Sequence, residues 1–306
     1  MFELIPKTNI NFVKKRNIFF SISGLIFIAG LASLLLKGGP KWGLDFTGGS
    51  LVEIKFQTSP AIDDIRKALI NQQITSFEIQ SVLTQNVFII RTQLQKTGTN
   101  HDEGKQIHQI LLEAFPDQNV TLLRKEFVGP TVGKHLAKET IIAFLLTFVG
   151  IIIYVAFRFH SGIWGASGVI ALIHDVFLTI GLFSIFNKEI SVTIVAALLT
   201  IAGYSINDTI VVFDFMRERL KFRKTESLEE LVNKSLNETL SRTIITNLTV
   251  FLVVLTLFFF GGDMIHDFAL AMIFGAIVGT YSSIGIAAPL IYVWETRQTQ
   301  KNNLKK

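Results

Sequence analysis

Long stretches without charged residues constrain this chain more than any other feature of its sequence. Asp175 is the single charged residue in one such stretch, and five others contain none. The six stretches are residues 17–36, 140–157, 162–187, 190–207, 243–262 and 268–294. Each has about 18 to 27 residues, and a helix of roughly 20 residues crosses the hydrocarbon core of a bilayer. The sequence therefore predicts a polytopic α-helical membrane protein with six transmembrane helices and excludes a conventional soluble enzyme.

These stretches and their flanks divide the chain into spans, two tails, one long outer segment and one cytoplasmic loop. The predicted spans are residues 17–37, 139–158, 163–187, 190–214, 242–262 and 265–294. The other predicted segments are an N-terminal tail at 1–16, an outer domain at 38–138, a cytoplasmic loop with an amphipathic helix at 215–241, and a C-terminal tail at 295–306.

Basic residues beside the spans predict how the chain crosses the membrane. In the short loops and tails, sixteen Lys and Arg residues lie on the side of both termini, and Lys188 alone lies on the opposite side. Short loops rich in Lys and Arg stay in the cytoplasm. We therefore expect both termini to be cytoplasmic and residues 38–138 to be outside. A cleaved signal peptide is disfavoured, because the first apolar run is too long and five more spans follow it.

The long outer segment has the pattern of a folded domain. Strand-like runs at residues 51–56, 77–83, 87–92 and 120–128 alternate with helical spacing at 59–73 and 104–115. A turn is expected at residues 84–86 and a polar loop at 93–104. The order β-α-β-β-α-β predicts a ferredoxin-like α+β domain, extracytoplasmic and inserted between the first and second transmembrane helices. That scaffold by itself specifies no function.

The cytoplasmic loop contains a helix start signal. Ser227 and Glu230 form a capping box, and an apolar stripe follows in a helix expected to end at Leu240. A helix of this kind can lie on the inner leaflet beside the basic cluster, or it can be a connector with one packed face. The sequence leaves both interpretations open.

Ionisable groups at membrane depth are costly, so they mark candidate functional sites. On the fourth span Asp208 shares a helical face with Thr200, Tyr204 and Asn207. The fifth span carries a second polar stripe with the same helical spacing, which consists of Arg242, Thr243, Thr246 and Asn247. The favoured interpretation is a proton site, in which Asp208 titrates and Arg242 is its counter-ion. The alternative is a buried pair that only locks two helices together.

Two further features of the spans are less specific. His174 and Asp175 are adjacent in the third span, and they form either a second proton relay or a helix–helix hydrogen bond. In the sixth span small residues recur every four positions, at Gly275, Gly279, Ser283 and Ala287. Such a ridge lets another helix approach closely, so we interpret it as a packing surface.

Motifs of common enzymes are absent from the sequence. It contains no Gly-rich loop ending in Gly-Lys-Ser/Thr, no His-Glu-x-x-His and no Gly-x-Ser-x-Gly. It also contains no cysteine, which excludes disulfides, thiol nucleophiles and Cys-ligated metals. The net charge of +5 is accompanied by no nucleic-acid-binding signature. We therefore expect no enzymatic activity, no cofactor, no metal site and no nucleic-acid partner.

Three motifs resemble one known family. The segments Gly43-Leu-Asp-Phe-Thr-Gly-Gly49, Ser205-Ile-Asn-Asp-Thr-Ile-Val-Val-Phe-Asp214 and Asn237-Glu-Thr-Leu-Ser-Arg-Thr243 are similar to the signature segments of the SecF family. In the first motif Gly43, Asp45 and Phe46 precede the glycine pair, and Gly48 and Gly49 suit a tight reversal into the first outer strand. The likeness extends over essentially the whole chain, including six spans with one long outer domain.

The resemblance implies a function as well as a fold. Members of the family are accessory membrane subunits of the bacterial Sec translocase, related to the resistance-nodulation-division transporters. They work with SecD and use the proton motive force to promote preprotein translocation across the cytoplasmic (inner) membrane, after an ATP-driven motor has pushed the preprotein. The implied partners are SecD, the channel subunits SecY, SecE and SecG, the proteins YajC and YidC, unfolded preproteins and membrane lipids.

The resemblance also implies that Asp208 and Arg242 are functional and that the outer domain is ferredoxin-like. Two alternatives stay open. One is a component of a small-molecule or lipid transporter, and the other is a purely structural assembly subunit.

Overall fold

The computed structural model describes residues 8–72, 74, 77–82, 86–92, 103–159, 161–222 and 226–303. Some predicted features lie wholly or partly outside these ranges. They are the turn at residues 84–86, most of the loop at 93–104 and the outer ends of both tails. The chain forms two compact units, which are described separately below. One unit is Trp42–Ile141, and the other combines Met1–Lys41 with Ile142–Lys306.

The helices and strands follow in this order along the chain. They are α1 (Arg16–Leu36), α2 (Leu44–Thr47), β1 (Gly49–Lys55), α3 (Ile62–Asn71), β2 (Phe77–Val82), β3 (Val87–Thr92), α4 (Glu103–Ala114), β4 (Thr121–Val128), α5 (Pro130–Phe159), α6 (Gly162–Ile185), α7 (Val192–Phe222), α8 (Leu228–Phe260), α9 (Asp263–Ser282), a π-helical turn (Ser283–Ala287) and α10 (Ala288–Asn303).

The smaller unit confirms the ferredoxin-like prediction. Its four strands form one sheet in the order β2-β3-β1-β4, and each neighbouring pair is antiparallel. The helix α3 buries Ile65 and Leu69, and α4 buries Ile107 and Leu111, all of which are fully inaccessible. These residues recur at helical spacing, so they face the sheet together and close the core over β1 and β3. The short helix α2 was not expected from the sequence.

The larger unit is helical. Among the described residues, six helices are long and apolar enough to cross a membrane, and they are Arg16–Leu36, Pro130–Phe159, Gly162–Ile185, Val192–Lys221, Leu228–Phe260 and Ile265–Lys301. Helices α6 and α7 and the last span are about half buried within the protein, whereas α1 and the span in α5 are mostly exposed. The central helices α6, α7 and α9 therefore form the core, and α1 and α8 pack on it.

The capping box predicted at the start of α8 is present, but the helix is longer than expected. The Ser227 hydroxyl accepts from the Glu230 backbone N–H, and the Glu230 carboxylate accepts from the Ser227 N–H. The helix does not end at Leu240 and continues to Phe260, because no Gly or Pro interrupts it before Gly261. Leu231 and Leu236 of its apolar stripe are buried against the protein. This favours a packed connector over a helix that lies on the inner leaflet.

The small residues of the sixth span confirm the predicted close approach. A Cβ atom added at Gly275 would lie 2.2 Å from the side chain of Ile201, and one at Gly279 would lie 3.1 Å from Cβ of Ser205. Both neighbours belong to α7, so α9 packs directly on the helix that carries Asp208. Gly30 of α1 and Gly181 of α6 make a second close approach of the same kind, because a Cβ on Gly30 would lie 3.0 Å from Cα of Gly181.

Candidate functional site

The two predicted polar stripes meet at a hydrogen bond between α7 and α8. Asp208 of α7 is 3 % exposed and Asn247 of α8 is 6 % exposed. The Nδ2 group of Asn247 donates to Oδ2 of Asp208 at 2.5 Å and to the carbonyl oxygen of Thr243 at 2.9 Å. Because both neighbours of Nδ2 are oxygen atoms, they fix the orientation of the amide. Asn247 therefore presents a donor to the buried carboxyl group.

A second hydrogen bond joins the same two helices one turn away. The hydroxyl of Tyr204 donates to the carbonyl oxygen of Thr246 at 3.2 Å. Tyr204 precedes Asp208 by four residues, and Thr246 directly precedes Asn247, so the two bonds brace the same contact. Thr243 is buried at this contact, with 2 % of its surface exposed.

Arg242 lies near this site but does not form an ion pair with Asp208. Arg242 is exposed. Within the described part of the chain, the Asp208 carboxyl group bonds Asn247 rather than a basic side chain. The guanidinium charge of Arg242 still acts on Asp208 through space. The direct counter-ion contact predicted from the sequence is therefore not made in this structure, and a role of Arg242 in proton coupling stays a prediction.

Thr200 and Asn207 point away from the contact with α8. Both residues are exposed, and the Thr200 hydroxyl donates to the Ala196 carbonyl oxygen of its own helix at 2.8 Å. The two are seven positions apart, so at 3.6 residues per turn they leave the helix in nearly the same direction. The predicted stripe is thus split between an inner edge, with Tyr204 and Asp208, and an outer edge, with Thr200 and Asn207.

His174 and Asp175 belong to a separate network in the core. Asp175 has no exposed surface, and its Oδ1 atom is 2.9 Å from Nδ1 of His174. Its Oδ2 atom accepts from the hydroxyl of Ser282 at 2.6 Å and from that of Ser205. We did not predict either serine as a site residue. Hydroxyl groups within otherwise apolar spans are the signal that could have identified them.

A π-helical turn lies next to this network. It covers Ser283–Ala287 and directly follows Ser282. The hydroxyl groups of Ser283 and Thr209 are 3.0 Å apart, which links this turn to α7. Single π-helical turns occur often at functional sites, because the extra residue frees backbone groups and redirects side chains. The turn therefore interrupts the α-helical pattern of the last span next to the polar core.

The motif Gly43 to Gly49 forms a turn in the smaller unit. Gly48 and Gly49 have φ angles of +69° and +129°, which L side chains rarely adopt. A Cβ atom on Gly49 would lie 2.3 Å from the carbonyl oxygen of Thr92, so β3 leaves no room for a side chain there. Phe46 packs edge-on against Trp42, with ring centroids 5.5 Å apart. The glycine pair therefore meets a backbone requirement for entry into β1.

Proton exchange and hydrogen bonding are the chemistry available to the polar groups in the spans. They comprise carboxyl, imidazole, phenol, amide and hydroxyl groups. No group of three or more His, Asp or Glu that could hold a metal ion occurs in the described ranges.

Comparisons with known sequences agree with this architecture. Residues 107–297 match the family "Protein export membrane protein SecD/SecF, C-terminal", and residues 33–60 match the "SecD/SecF GG Motif". The protein translocase subunit SecF of Endomicrobium trichonymphae is 44% identical over 96% of this chain and 94% of that protein. The subunit SecF of Calditerrivibrio nitroreducens is 41% identical over 95% of this chain and 96% of that protein.

Solved structures agree as well. The crystal structure of SecDF from Thermus thermophilus, described as a translocon-associated membrane protein, matches with a TM-score of 0.83 and 34% identity. The match covers 97% of this chain and 40% of the SecDF chain, so this chain spans less than half of that relative. The resemblance inferred from the three motifs is thus confirmed over nearly the whole sequence. The chain therefore belongs to the SecD/SecF family of protein export membrane proteins.

Proposed function

We propose that the chain is an accessory subunit of the Sec translocase that uses the proton motive force to promote preprotein translocation across the cytoplasmic membrane. The observation that carries the proposal is the buried carboxyl group of Asp208, which bonds Asn247 across two membrane-spanning helices. A carboxyl group at such depth is costly to ionise and normally marks an ion or proton pathway. Asp208 is the proton-coupling residue, and Arg242 responds to its charge.

Two arrangements of the site follow from the two protonation states. When Asp208 is neutral, Asn247 donates to its carboxyl oxygen and Arg242 stays outside, because there is no charge to pair. When Asp208 loses its proton, the buried carboxylate needs a charged partner, because an unpaired buried charge is strongly unfavourable. Arg242 then moves toward it, and α7 and α8 shift relative to each other. Thr243, Thr246 and Asn247 belong to α8 and move with it, whereas Tyr204 moves with α7.

The proton gradient supplies enough free energy to drive such a shift. Moving one proton across 100 mV provides about 2.3 kcal/mol, which changes the ratio of two conformations about 50-fold. In this proposal the chain binds no nucleotide, and the proton gradient is its only energy source. The protein is a transport subunit and not an enzyme.

We propose that SecD covers the outer edge of α7. The exposed amide of Asn207 and the exposed Arg242 lie on membrane-spanning helices, where lipid cannot satisfy them. The SecDF relative has additional length that this chain lacks, and SecD would supply the corresponding part. The other partners of the complex are the channel subunits SecY, SecE and SecG together with YajC and YidC. Both termini lie in the cytoplasm of a bacterial cell.

Export into membrane vesicles tests the proposal. The rate is measured with the proton gradient present and with the gradient collapsed, for the wild-type complex and for Asp208→Asn. We expect the variant to assemble normally and to lose the gradient-dependent part of the rate. Asp267→Asn is the matched control, because it makes the same chemical change at a partly exposed pair with Lys188. A normal gradient response in Asp208→Asn would remove the proton role, and a loss of assembly alone would favour a structural subunit.

A further inference from the structure

A chain of hydrogen bonds connects α1, α6 and α9 through His174. The hydroxyl of Tyr281 on α9 is 2.5 Å from the Phe19 carbonyl oxygen on α1. The hydroxyl of Ser23, also on α1, is 3.1 Å from the Tyr281 hydroxyl and 3.0 Å from Nε2 of His174. The other ring nitrogen, Nδ1, is 2.9 Å from Oδ1 of Asp175. Three side chains thus lie in one continuous line between a backbone carbonyl and a buried carboxyl group.

The position of each hydrogen in this line follows from the first contact. A carbonyl oxygen can only accept, so the Tyr281 hydrogen points to Phe19. The hydrogen between Tyr281 and Ser23 must then come from Ser23, which has no second hydrogen to give. Consequently the hydrogen between Ser23 and His174 belongs to Nε2.

The same reasoning places a proton between His174 and Asp175. With Nε2 protonated, a neutral imidazole has a lone pair on Nδ1 that faces Oδ1 of Asp175. Two lone pairs at 2.9 Å repel each other, so a proton lies between them. It is bound either to Nδ1, as an imidazolium with a carboxylate, or to Oδ1, as a neutral imidazole with a carboxylic acid. In both cases the pair has no net charge, which suits its burial.

We propose that His174 and Asp175 form a second proton site of the chain, and that its occupancy controls the contact between α1 and α9. This inference rests on the proposed proton-driven function and adds a second site to it. The exchangeable proton is the one on Nε2, and when it leaves, the proton between Nδ1 and Oδ1 stays on Nδ1. His174 is the member through which the proton enters and leaves, because its side chain is 11% exposed and that of Asp175 is fully buried.

Loss of this proton reverses the line of hydrogen bonds. Nδ1 then keeps the remaining ring hydrogen and donates it to the Asp175 carboxylate, and Nε2 becomes an acceptor. Ser23 must turn its hydrogen from Tyr281 to His174. Tyr281 can then bond Ser23 only by releasing the Phe19 carbonyl. Either the Tyr281–Phe19 bond or the Ser23–Tyr281 bond is then lost, so one proton on α6 removes one of the two hydrogen bonds that Tyr281 makes with α1.

Asp175 also links this change to the helix of the first site. Its Oδ2 atom accepts from Ser205 on α7 and from Ser282 on α9, immediately before the π-helical turn. Ser205 precedes Asp208 by three residues on the same helix. A change in the protonation of His174 and Asp175 therefore alters a hydrogen bond to α7, the helix that carries Asp208.

Few other ionisable groups face the pair. In the described network Tyr281 on α9 is the one further titratable side chain, while α1 and α7 contribute hydroxyl groups. Lys37 of α1 and Glu295 of α10 bond the two ends of α6 instead. On α7, Asp208 bonds α8. The charge state of the pair is therefore governed mainly by its own two members.

Export measurements separate this inference from the proposed function. Asp175→Asn and Ser23→Ala should each lower the gradient-dependent export rate about tenfold, since the first removes the carboxyl group that shares the proton and the second breaks the line between His174 and Tyr281. Export without the gradient and the amount of complex should not change. Ser33→Ala is the matched control, because it removes another serine contact between α1 and α6, the 2.8 Å bond to Ser184. Should Asp175→Asn fail to fold, the gradient-dependent export rate of Ser23→Ala tests the inference by itself.

The possible outcomes lead to different conclusions. A tenfold loss in Ser23→Ala with a normal response in Ser33→Ala supports the second site. A loss in Asp208→Asn together with normal responses in Asp175→Asn and Ser23→Ala overturns the second site and leaves the proposed function intact. A normal response in Asp208→Asn removes the proposed function and this inference together.

Nitrogen NMR of the complex in liposomes tests the proton positions directly. The histidines carry ¹⁵N, and the His174 signals are assigned from their loss in His174→Gln. At neutral pH we expect Nε2 to be protonated, and at alkaline pH we expect conversion to the form protonated on Nδ1 alone. Asp175→Asn should abolish this conversion and Asp208→Asn should retain it. A His174 ring that is protonated only on Nδ1 at neutral pH would overturn the inference.

Discussion

Gly275→Ala should destabilise the helical unit by forcing α9 away from α7. The added Cβ would lie 2.2, 2.4 and 2.8 Å from three side-chain atoms of Ile201. Carbon atoms in contact prefer a separation of about 3.5–4.0 Å. Ile201 is 1% exposed and β-branched, so it has neither space nor an easy alternative rotamer. The helices must therefore separate by roughly 1 Å at this point.

The size of the effect can be estimated from two opposing terms. Overpacking a tight contact costs about 1–3 kcal/mol. Replacing Gly by Ala within a helix gains about 1 kcal/mol. Gly203→Ala is the matched control, because it lies on α7, two residues from Ile201, and its Cβ would meet nothing within 4 Å. Gly203→Ala has only the favourable term, so Gly275→Ala should be less stable than this control by about 1–3 kcal/mol.

Denaturant unfolding of the full chain in mixed micelles, followed by circular dichroism, measures this difference. The variant Ile201→Ala removes the three atoms that clash, so in the Gly275→Ala background it should cost less than it does alone. The difference between the two costs should be at least about 1 kcal/mol, as expected for residues in direct contact. Equal stabilities of Gly275→Ala and Gly203→Ala would refute the close packing of α9 on α7.

Two further predictions concern other parts of the chain. Asn237→Ala should speed hydrogen exchange at the Ile10 amide about 5- to 150-fold. The Asn237 side chain bonds both backbone groups of Ile10 at 2.8 Å, and the two bonds together contribute about 1–3 kcal/mol. The neighbouring variant Glu238→Ala should leave that exchange rate unchanged, and equal rates in the two variants would contradict the docking of the N-terminal segment on α8. Gly49→Ala should lower the free energy of unfolding by more than about 2 kcal/mol, since it adds a backbone clash to an unfavourable φ angle. Gly39→Ala, with a φ of +123° and no neighbour within 4 Å, should cost clearly less in the same unfolding measurement, and a similar loss in both would show that the Gly49 contact is unimportant.

The fold could be predicted because its signals are local. Stretches without charge, of the right length, specify spans whatever their neighbours are. In the smaller unit, the alternation of strand and helix periods specified four strands and two helices, and the sheet order follows the known form of that pattern. The end of α8 was wrongly predicted at Leu240, close to the change from a polar to an apolar sequence. A helix continues across such a change unless Gly or Pro stops it.

The site could be predicted only in part. Helical spacing placed Asp208 and Asn247 on polar faces, and the structure brings these two residues together. Spacing does not specify which edge of a face meets the neighbouring helix, and therefore the outward direction of Thr200 and Asn207 was not foreseen. The bond between Ser23 and His174 joins residues that are 151 positions apart. Such a contact depends on how the spans pack, which periodicity alone does not specify.

Infrared difference spectroscopy of the complex in liposomes tests the central claim most directly. Spectra are recorded before and after a proton gradient is imposed, for the wild-type chain, Asp208→Asn and the control Asp267→Asn. The account predicts a carboxylic-acid band that changes with the gradient in the wild type and in Asp267→Asn and is lost in Asp208→Asn. A gradient-dependent spectrum that is the same in Asp208→Asn and in the wild type would contradict the account.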